Sequence, residues 1–392
     1  MSQEGILNGV KLARVATLSF AVVSQLKKHL QHINEQGIDL TVVSSSDDGM
    51  DILNRSGIRH EKIQIPRDIS LIEDIIALIK LYSFLRKENF DIVHSTTPKA
   101  GLLTAIAAYF AGVPHRFHTF TGQAWANLSG FKRWICILMD KLIIALNTEV
   151  YADSNSQVNF LHNNGVINEL SEIIVLGNGS LAGVDLETFT SKDQSYRLKL
   201  RQQFSIPADS FVFLYLGRLN SEKGIWELLE AFRLLADKYQ DIYLLLVGPL
   251  DFKEELEKRR AEHIISEMKN VIWHGYTDNP ENFLSMSDIL CCPSYREGFG
   301  TTVIEAGAMG LPSIGTDVVG LRDSIIDNKT GILVKRGDSE DLRENMEYLM
   351  NHNAYREELG SNALKNAVDN FSSSRVSRLI IEQYQKKLNE HA

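Results

Sequence analysis

The chain has 392 residues, more than one hydrophobic core usually holds, so its length favours two domains. Its composition, 44% hydrophobic and 23% charged, is that of an ordinary globular protein, and the net charge of −9 argues against a nucleic-acid-binding protein. The three cysteines, Cys136, Cys291 and Cys292, lie in apolar runs, which favours buried reduced thiols over disulfides or a zinc site. We expect no signal peptide, because no charged segment followed by an apolar core opens the chain. We expect no transmembrane helix, because the sequence has no apolar run of 18 residues.

The N-terminal half alternates apolar strands with helices, which is the pattern of a parallel doubly wound sheet. A strand and turn over residues 10–23 precede a helix over 24–36 and a second strand over 38–44. The alternation continues through a helix, a strand, a turn, a helix and a strand running into a loop, at residues 69–87, 90–94, 95–99, 101–110 and 114–122. A strand at 150–154 and a helix at 157–163, capped by Ser154, complete this pattern.

Residues 129–146 allow two interpretations. Two cations lie between two aromatic residues in Phe131, Lys132, Arg133 and Trp134, and an apolar helical face follows. Such a segment is typical of a helix that lies on an anionic membrane surface. It is equally typical of a core helix with one basic end. Most of the excess negative charge of the chain lies in its second half, so the first half repels phosphate groups less.

The second half repeats the alternation of strands and helices. Its predicted strands are apolar runs, at residues 211–217, 242–248, 271–276, 289–293 and 330–334. We place the boundary in the turn-rich segment 178–189, which gives a first domain of residues 1–185 and a second of 186–371. A terminal helix of about residues 372–392 follows.

Two cationic residues follow the first strand of the second domain. Arg218 follows Gly217 at the strand end, and Lys223 precedes a glycine and a helix that begins near Ile225. Two cations beside a helix N-terminus can neutralise a diphosphate and the charge that grows on it as a bond to it breaks.

A strand, a glycine-rich turn and a helix also surround two carboxylates eight positions apart. Glu297 stands at the mouth of the turn, and Glu305 lies one to two turns into the helix. Between them, Gly298, Phe299, Gly300, Thr301 and Thr302 would present backbone N–H groups to a ligand above the strand. Glu305 could accept hydrogen bonds from two hydroxyl groups, as a ribose offers.

The two motifs together resemble those of retaining glycosyltransferases with the GT-B fold, and above all the large family 4. The match is specific at residues 214–224 and 291–334 and general elsewhere. The resemblance implies two Rossmann-like domains that face a cleft, with the terminal helix crossing back to the first. It assigns the sugar-nucleotide donor to the second domain, through Arg218, Lys223 and the segment 297–305, with Gly217, Gly248, Tyr276 and Thr277 as further contacts.

The resemblance also implies roles in catalysis and in acceptor binding. A histidine that follows a strand of the first domain reaches the donor sugar in relatives, and His118 has that position; the alternative is a histidine paired with a backbone carbonyl. His94 and His115 are weaker candidates. Acceptor-side candidates are polar residues at strand ends of the first domain, namely Thr17, Ser19, Thr97, Lys99 and Thr121. The first turn lacks the glycines that many relatives have there, which leaves its acceptor contact open.

These resemblances predict transfer of a hexose or N-acetylhexosamine from a UDP-sugar to a lipid-diphosphate-linked sugar, with retention of configuration. Glu297 would orient sugar hydroxyls, although the sequence alone does not exclude a nucleophilic role. We expect no metal cofactor, because no Asp-x-Asp motif is present and the two cations can bind the diphosphate. The expected location is the cytoplasm, peripherally on the inner face of the membrane. Two alternatives remain, a UDP-sugar epimerase of GT-B fold and a non-catalytic sugar-nucleotide-binding protein. An NAD enzyme is disfavoured, since no G-x-G-x-x-G motif follows a strand.

Overall fold

The computed structural model describes residues 7–46, 57–66 and 70–390, with the side chains of residues 19–25 outside that description. The chain forms two compact units, one of Met1–Gly183 with Ser373–Ala392 and one of Val184–Ser372. The predicted boundary lies two residues beyond the observed one. The terminal helix, Ser373–Asn389, belongs to the first unit.

The described strands of the first unit form one parallel sheet in the order β3-β2-β1-β4-β5-β6-β7. They are β1 Lys11–Leu18, β2 Asp39–Ser45, β3 Arg59–Lys62, β4 Ile92–Thr96, β5 His115–Phe120, β6 Glu149–Ala152 and β7 Ile174–Val175. The chain order reverses between β1 and β4, so the unit has the doubly wound topology that the sequence predicts. Strand β3 is short and polar, and the apolar pattern did not predict it.

Helices cover both faces of this sheet. The bounds are α1 Ser19–Asn34, α2 Leu71–Glu88, α3 Pro98–Ala111, α4 Gly130–Leu146 and α5 Asn155–Asn163. Helix α1 and the terminal helix pack together on one face, with side chains such as Leu30 and Tyr384 in one core, whereas α2 and α3 share a separate core on the other. Ser154 caps α5 as predicted, by accepting a hydrogen bond from the backbone N–H of Gln157.

The sequence prediction was wrong about where two of these helices begin. Helix α1 begins at Ser19, directly after β1, and not at residue 24. The apolar residues 20–23 fit a strand as well as a helix, and periodicity alone does not separate the two. Helix α3 begins at Pro98 and not at residue 101, because proline is well suited to the first helical position.

The second unit has its own parallel sheet, in the order β10-β9-β8-β11-β12-β13. Its described strands are β8 Phe211–Leu216, β9 Ile242–Val247, β10 Val271–Gly275, β11 Ile289–Cys292, β12 Ser313–Thr316 and β13 Gly331–Val334. All are largely buried except the edge strand β10, in which Trp273 and His274 are exposed. The helices are α6 Gln194–Gln203, α7 Ile225–Ala236, α8 Glu255–Glu267, α9 Pro280–Met286, α10 Thr301–Ala308, α11 Leu321–Ser324, α12 Ser339–Asn351 and α13 Asn353–Phe371; the terminal helix is α14. Two apolar cores lie on the two faces, which explains the nearly continuous apolar strand sequences.

The cysteines are free thiols, as the sequence predicted. Cys291 and Cys292 are buried in β11, but Cys136 is only partly buried. Burial raises the pKa of the Cys292 thiol to about 12, so it stays protonated at neutral pH.

Candidate active site

Strands β8 and β11 are neighbours at the point where the strand order of the second sheet reverses. Ligands of doubly wound proteins bind beyond the carboxyl ends of the strands at such a point. The residues that follow β8 here are Gly217 and Arg218, and those that follow β11 run from Pro293 to Glu297. The topology therefore brings the two sequence motifs to one place.

Lys223 and Glu297 form the centre of this group. The Lys223 ammonium donates a hydrogen bond of 2.6 Å to Glu297 Oε1, which also accepts one of 2.7 Å from the Ser294 hydroxyl. The Lys223 and Glu297 side chains are 22% and 19% exposed, so both are partly withdrawn from water and still reachable by a ligand. Ser294 was not predicted, although its position directly after β11 is a signal for it.

Hydrogen bonds from backbone N–H groups hold the loop that carries Lys223 in place. The Asn220 side chain accepts a hydrogen bond of 3.0 Å from the Lys223 N–H, and the carbonyl of Glu222 accepts one of 2.9 Å from the Tyr295 N–H. Gly224 has a φ of +71°, and a Cβ placed on it would lie 2.0 Å from the carbonyl oxygen of Pro293. Only glycine allows the β8 loop to approach the β11 loop this closely.

Arg218 has a partner that the sequence did not predict. Its guanidinium forms an ion pair with the Asp251 carboxylate, and both side chains are about half exposed, at 53% and 49%. Asp251 lies in the loop between β9 and the helix that begins at Glu255, beside the end of β8. The described contacts do not join Arg218 to the Lys223–Glu297 pair.

The turn before α10 has the geometry of a ligand-binding helix N-terminus. Gly300 is its N-cap with a φ of +84°, and a Cβ there would lie 2.7 Å from a methyl group of Leu321. Thr301 and Thr302 begin the helix and are partly exposed. The side chain of Phe299 is buried against Phe371, with ring centroids 5.2 Å apart, so Phe299 can contact a ligand only through its backbone.

Glu305 lies in the second turn of α10. It is partly buried, and within the described part of the chain its carboxylate has no hydrogen-bond or ion-pair partner. Burial, with a smaller effect of Glu281, raises the pKa of Glu305 to about 7. A carboxylate kept without a partner at the predicted ribose position is available to accept hydrogen bonds from a ligand.

The remaining donor-side candidates, Gly248, Tyr276 and Thr277, lie in three different local environments. A Cβ on Gly248 would lie 1.9 Å from the carbonyl oxygen of Gly217, so the ends of β8 and β9 need glycine to approach each other. Tyr276 is half exposed, and its hydroxyl donates to Asp278. The Thr277 hydroxyl oxygen accepts a hydrogen bond from the backbone of Asn279, which stabilises the turn. Neither Tyr276 nor Thr277 shares a described contact with Lys223 or Glu297.

In the first unit, two acceptor-side candidates meet at the β1–β4 reversal. The hydroxyls of Thr17 and Thr97 lie 2.9 Å apart, and Thr97 has a φ of +68°, which is rare for a β-branched residue. Lys99, in the first turn of α3, forms a 2.7 Å ion pair with Asp74 of α2. Thr121 is partly buried after β5, and the side chain of Ser19 lies outside the described residues.

His118 lies inside the first unit and not on its surface. The side chain is fully buried, its Nδ1 lies 2.9 Å from the Ser95 hydroxyl, and its Nε2 has no partner among the described residues. Burial, with the Arg14 charge, lowers the pKa of His118 to about 3, so the ring is neutral at pH 7. The alternative of a backbone-carbonyl partner is wrong in detail, because the partner of Nδ1 is a hydroxyl. His94 is held by Tyr384 and Thr119 within the core, and His115 is buried.

The described residues contain no group of three or more His, Cys, Asp or Glu side chains arranged to hold a metal ion. In the same ranges, no helix combines the length and the hydropathy that crossing a bilayer requires.

Comparison with known proteins identifies the family of the chain. Residues 197–366 match the family described as glycosyl transferases group 1, and residues 21–179 match the glycosyl transferase 4-like domain. The chain is 30% identical over 381 residues to the capsular polysaccharide biosynthesis glycosyltransferase CapM of Staphylococcus aureus, covering 97% of this chain and 98% of that protein. It is 32% identical over 282 residues to a UDP-Gal:alpha-D-GlcNAc-diphosphoundecaprenol alpha-1,3-galactosyltransferase of Escherichia coli, covering 69% of each.

The fold also matches solved structures. Anabaena HepE in complex with UDP and glucose superimposes with a TM-score of 0.79 at 19% identity, covering 96% of this chain and 99% of that one. Two parallel-sheet units of this kind define the GT-B fold, so the predicted fold class is confirmed. The chain belongs to the family 4 type of GT-B glycosyltransferases, and it is a glycosyltransferase.

Proposed function

We propose that the protein is a retaining, metal-independent glycosyltransferase of bacterial surface-polysaccharide assembly. It transfers a hexose or N-acetylhexosamine from a UDP-sugar to a sugar linked through a diphosphate to a lipid. Likeness to the capsular enzyme over nearly the whole chain supports polysaccharide assembly. Likeness to the E. coli enzyme, whose name includes a UDP-sugar and a diphosphoundecaprenol acceptor, supports the donor and the acceptor class.

The observation that carries the proposal is the Lys223–Glu297 pair at the β8–β11 reversal. The cation and the N–H groups that begin α10 suit a diphosphate, and the Glu297 carboxylate beside them suits sugar hydroxyls. One site thus has complementary groups for both ends of a nucleotide-sugar. The unpartnered Glu305 carboxylate suits the ribose.

In the proposed reaction, the acceptor oxygen attacks the anomeric carbon on the face from which the UDP phosphate leaves. The bond from that carbon to the phosphate oxygen breaks, and the phosphate takes the proton of the acceptor hydroxyl. Lys223 and Arg218 offset the negative charge that grows on the departing diphosphate. Glu297 holds the sugar hydroxyls, and its ion pair with Lys223 keeps both groups oriented before the donor arrives.

The products distinguish this function from its alternatives. Incubation of UDP-sugars with a lipid-diphosphate-linked acceptor sugar should give a lengthened glycan and free UDP. An epimerase would convert the UDP-sugar into an isomer without an acceptor, and a binding protein would bind UDP without turnover. Either of those results would replace the proposal.

Binding of UDP should depend on the ionisation of Glu305. At pH 8, Glu305→Gln and Glu305→Ala should weaken UDP binding by about 1.5–3 kcal/mol, the range for hydrogen bonds to a charged group. The difference between wild type and Glu305→Gln should shrink towards pH 6, since the pKa of Glu305 is about 7 and its carboxylate is then largely protonated. Calorimetry on the wild type and on Glu305→Gln measures this difference in UDP affinity. Titration of the UDP phosphate affects both proteins equally, so it cancels in the comparison. Equal UDP affinities of both proteins at pH 8 would contradict the ribose assignment.

The same pKa predicts a trend in stability without ligand. Burial raises the pKa of Glu305 in the folded state above the ordinary value of 4.5, so the folded state binds this proton more tightly than the unfolded state does. The contribution of this proton to the free energy of unfolding is fully present at low pH. It is lost as the pH rises from about 4.5 through about 7, so Glu305→Gln should gain stability relative to wild type over that interval.

Removal of divalent ions should leave sugar transfer intact. The proposed diphosphate contacts are the cations Arg218 and Lys223, which need no bridging metal. Turnover should therefore stay within about twofold after EDTA treatment, by the reasoning that charge stabilisation comes from side chains. Loss of turnover that Mg²⁺ restores, and that Ca²⁺ does not, would show that a metal takes part.

A further inference from the structure

The outer side of helix α2 is apolar, whereas the outer side of a surface helix is normally polar. Its inner side buries Ala77, Leu81 and Leu85 in the core of the first unit. Its outer side exposes six large apolar side chains by 40–76% each, at Leu71, Ile72, Ile75, Ile76, Ile79 and Tyr82. A helix that is apolar on both sides needs a second apolar environment.

Helix α4 has a similar exposed stripe. Phe131, Trp134, Leu138 and Leu142 repeat at helical spacing and are 41–72% exposed. Both α2 and α4 pack against α3, whose last turn exposes Tyr109 and Phe110. The three helices thus form one layer, and we call its exposed side chains the α2–α4 surface. The sequence left α4 open between a core helix and a membrane helix, and its exposed stripe favours the second.

The charges of this layer differ from those of the whole chain. Helices α2, α3 and α4 contain seven Lys and Arg residues against four Asp and Glu residues, in a chain of net charge −9. Three of the four acids are engaged within the unit, because Asp74 pairs with Lys99, Glu88 pairs with Arg59, and Asp140 is buried and accepts from Trp125. The exposed cations include Lys80, Lys87, Lys132 and Lys141.

We propose that the α2–α4 surface lies on an anionic lipid bilayer, with the α2 stripe at the boundary of the acyl chains and the cations on the headgroups. Exposed Tyr82 and Trp134 are residue types that favour this boundary. A second copy of this chain fits less well, because the cations of two such surfaces would face each other.

This inference rests on the proposed function for the presence of a lipid-linked acceptor, and it names the surface that meets that lipid. The Asp74–Lys99 ion pair joins the first turns of α2 and α3. The apolar stripe therefore begins next to Lys99, the acceptor-side candidate. An acceptor anchored in the bilayer would present its sugar at the same end of the first unit.

Sedimentation with lipid vesicles tests the inference. Vesicles of phosphatidylglycerol and phosphatidylethanolamine should bind the wild-type chain, and phosphatidylcholine vesicles should bind it more weakly. The double variant Ile75→Glu, Ile79→Glu should lower binding about tenfold or more, because two charges would enter the acyl boundary. A matched control is Leu256→Glu, since Leu256 is 78% exposed on α8 of the second unit and should bind as wild type does. Both substituted positions of α2 are exposed, so the melting temperature should not change.

Two results would overturn the inference. One is equal binding of the wild type and the double variant to the anionic vesicles, including no binding by either. The other is a wild-type dimer in light scattering that the double variant dissociates, which would make this a contact between copies. UDP affinity and transfer to a water-soluble acceptor analogue, measured on the same samples, report on the proposed function separately. If UDP binding and sugar transfer are observed but vesicle binding is absent, only the inferred membrane surface is wrong. If the chain binds vesicles but does not bind UDP, only the proposed function is wrong.

Discussion

Lys223→Ala should lower the turnover number by about 30- to 1,000-fold, which corresponds to about 2–4 kcal/mol of lost transition-state stabilisation. Two effects act in the same direction. The substitution removes a cation from the departing diphosphate, and it leaves Glu297, its 2.6 Å partner, as an uncompensated negative charge beside that diphosphate. Steady-state kinetics with a UDP-sugar and a saturating acceptor measure the loss.

A suitable control is Lys238→Ala. Lys238 also forms an ion pair with a glutamate of the second unit, Glu347, but its side chain is 61% exposed and lies beyond the C-terminal end of α7, whereas Lys223 precedes the N-terminal end. Its rate should stay within about twofold of wild type, as expected for an exposed ion pair. Arg218→Ala should resemble Lys223→Ala, and near-normal turnover in both would remove the phosphate assignment.

Gly224→Ala should strongly destabilise the fold. The new Cβ would lie 2.0 Å from the carbonyl oxygen of Pro293, and the residue would keep a φ of +71°. The left-handed backbone alone costs about 1–2 kcal/mol, and the clash should add about 1–3 kcal/mol. Thermal and chemical unfolding measure the sum. Turnover should fall as well, because relief of the clash moves the adjacent Lys223.

Gly310→Ala isolates the contribution of the clash. Gly310 has a similar φ of +78°, but a Cβ there meets no atom within 4 Å. The Gly310→Ala variant should therefore lose only the free energy of unfolding that the left-handed backbone costs, and its turnover should be nearly normal. If Gly224→Ala and Gly310→Ala unfold alike, the close approach of the two loops is not needed for the fold.

The sequence predicted the parallel sheets well because buried strands have continuous apolar runs. The fold class and the helix that starts at Ile225 followed from those runs and their flanking glycines. Short polar elements carried no such signal, which is why β3 was missed. Chain topology, with its strand-order reversals, explains why residues as distant in sequence as Lys223 and Glu297 are in contact.

Individual side-chain environments were harder to predict than the motifs. His118 has the right place in the sequence for a site residue, but the ring is turned into the core, where it packs against α3 near Gly101. Phe299 likewise belongs to a motif and yet fills the core of the second unit. Burial depends on contacts between distant segments, and local sequence patterns do not encode those contacts.

The membership of helix α14 in the first unit has a consequence for synthesis. Its Ile380 and Tyr384 fill the same core as Leu12 and Leu30, and the Tyr384 hydroxyl lies 2.6 Å from His94. A ribosome delivers these side chains only after the whole second unit has been made. Part of one face of the sheet in the nascent first unit therefore stays uncovered until α14 is made, whereas the second unit can complete its own core earlier. The domain begun first is thus finished last.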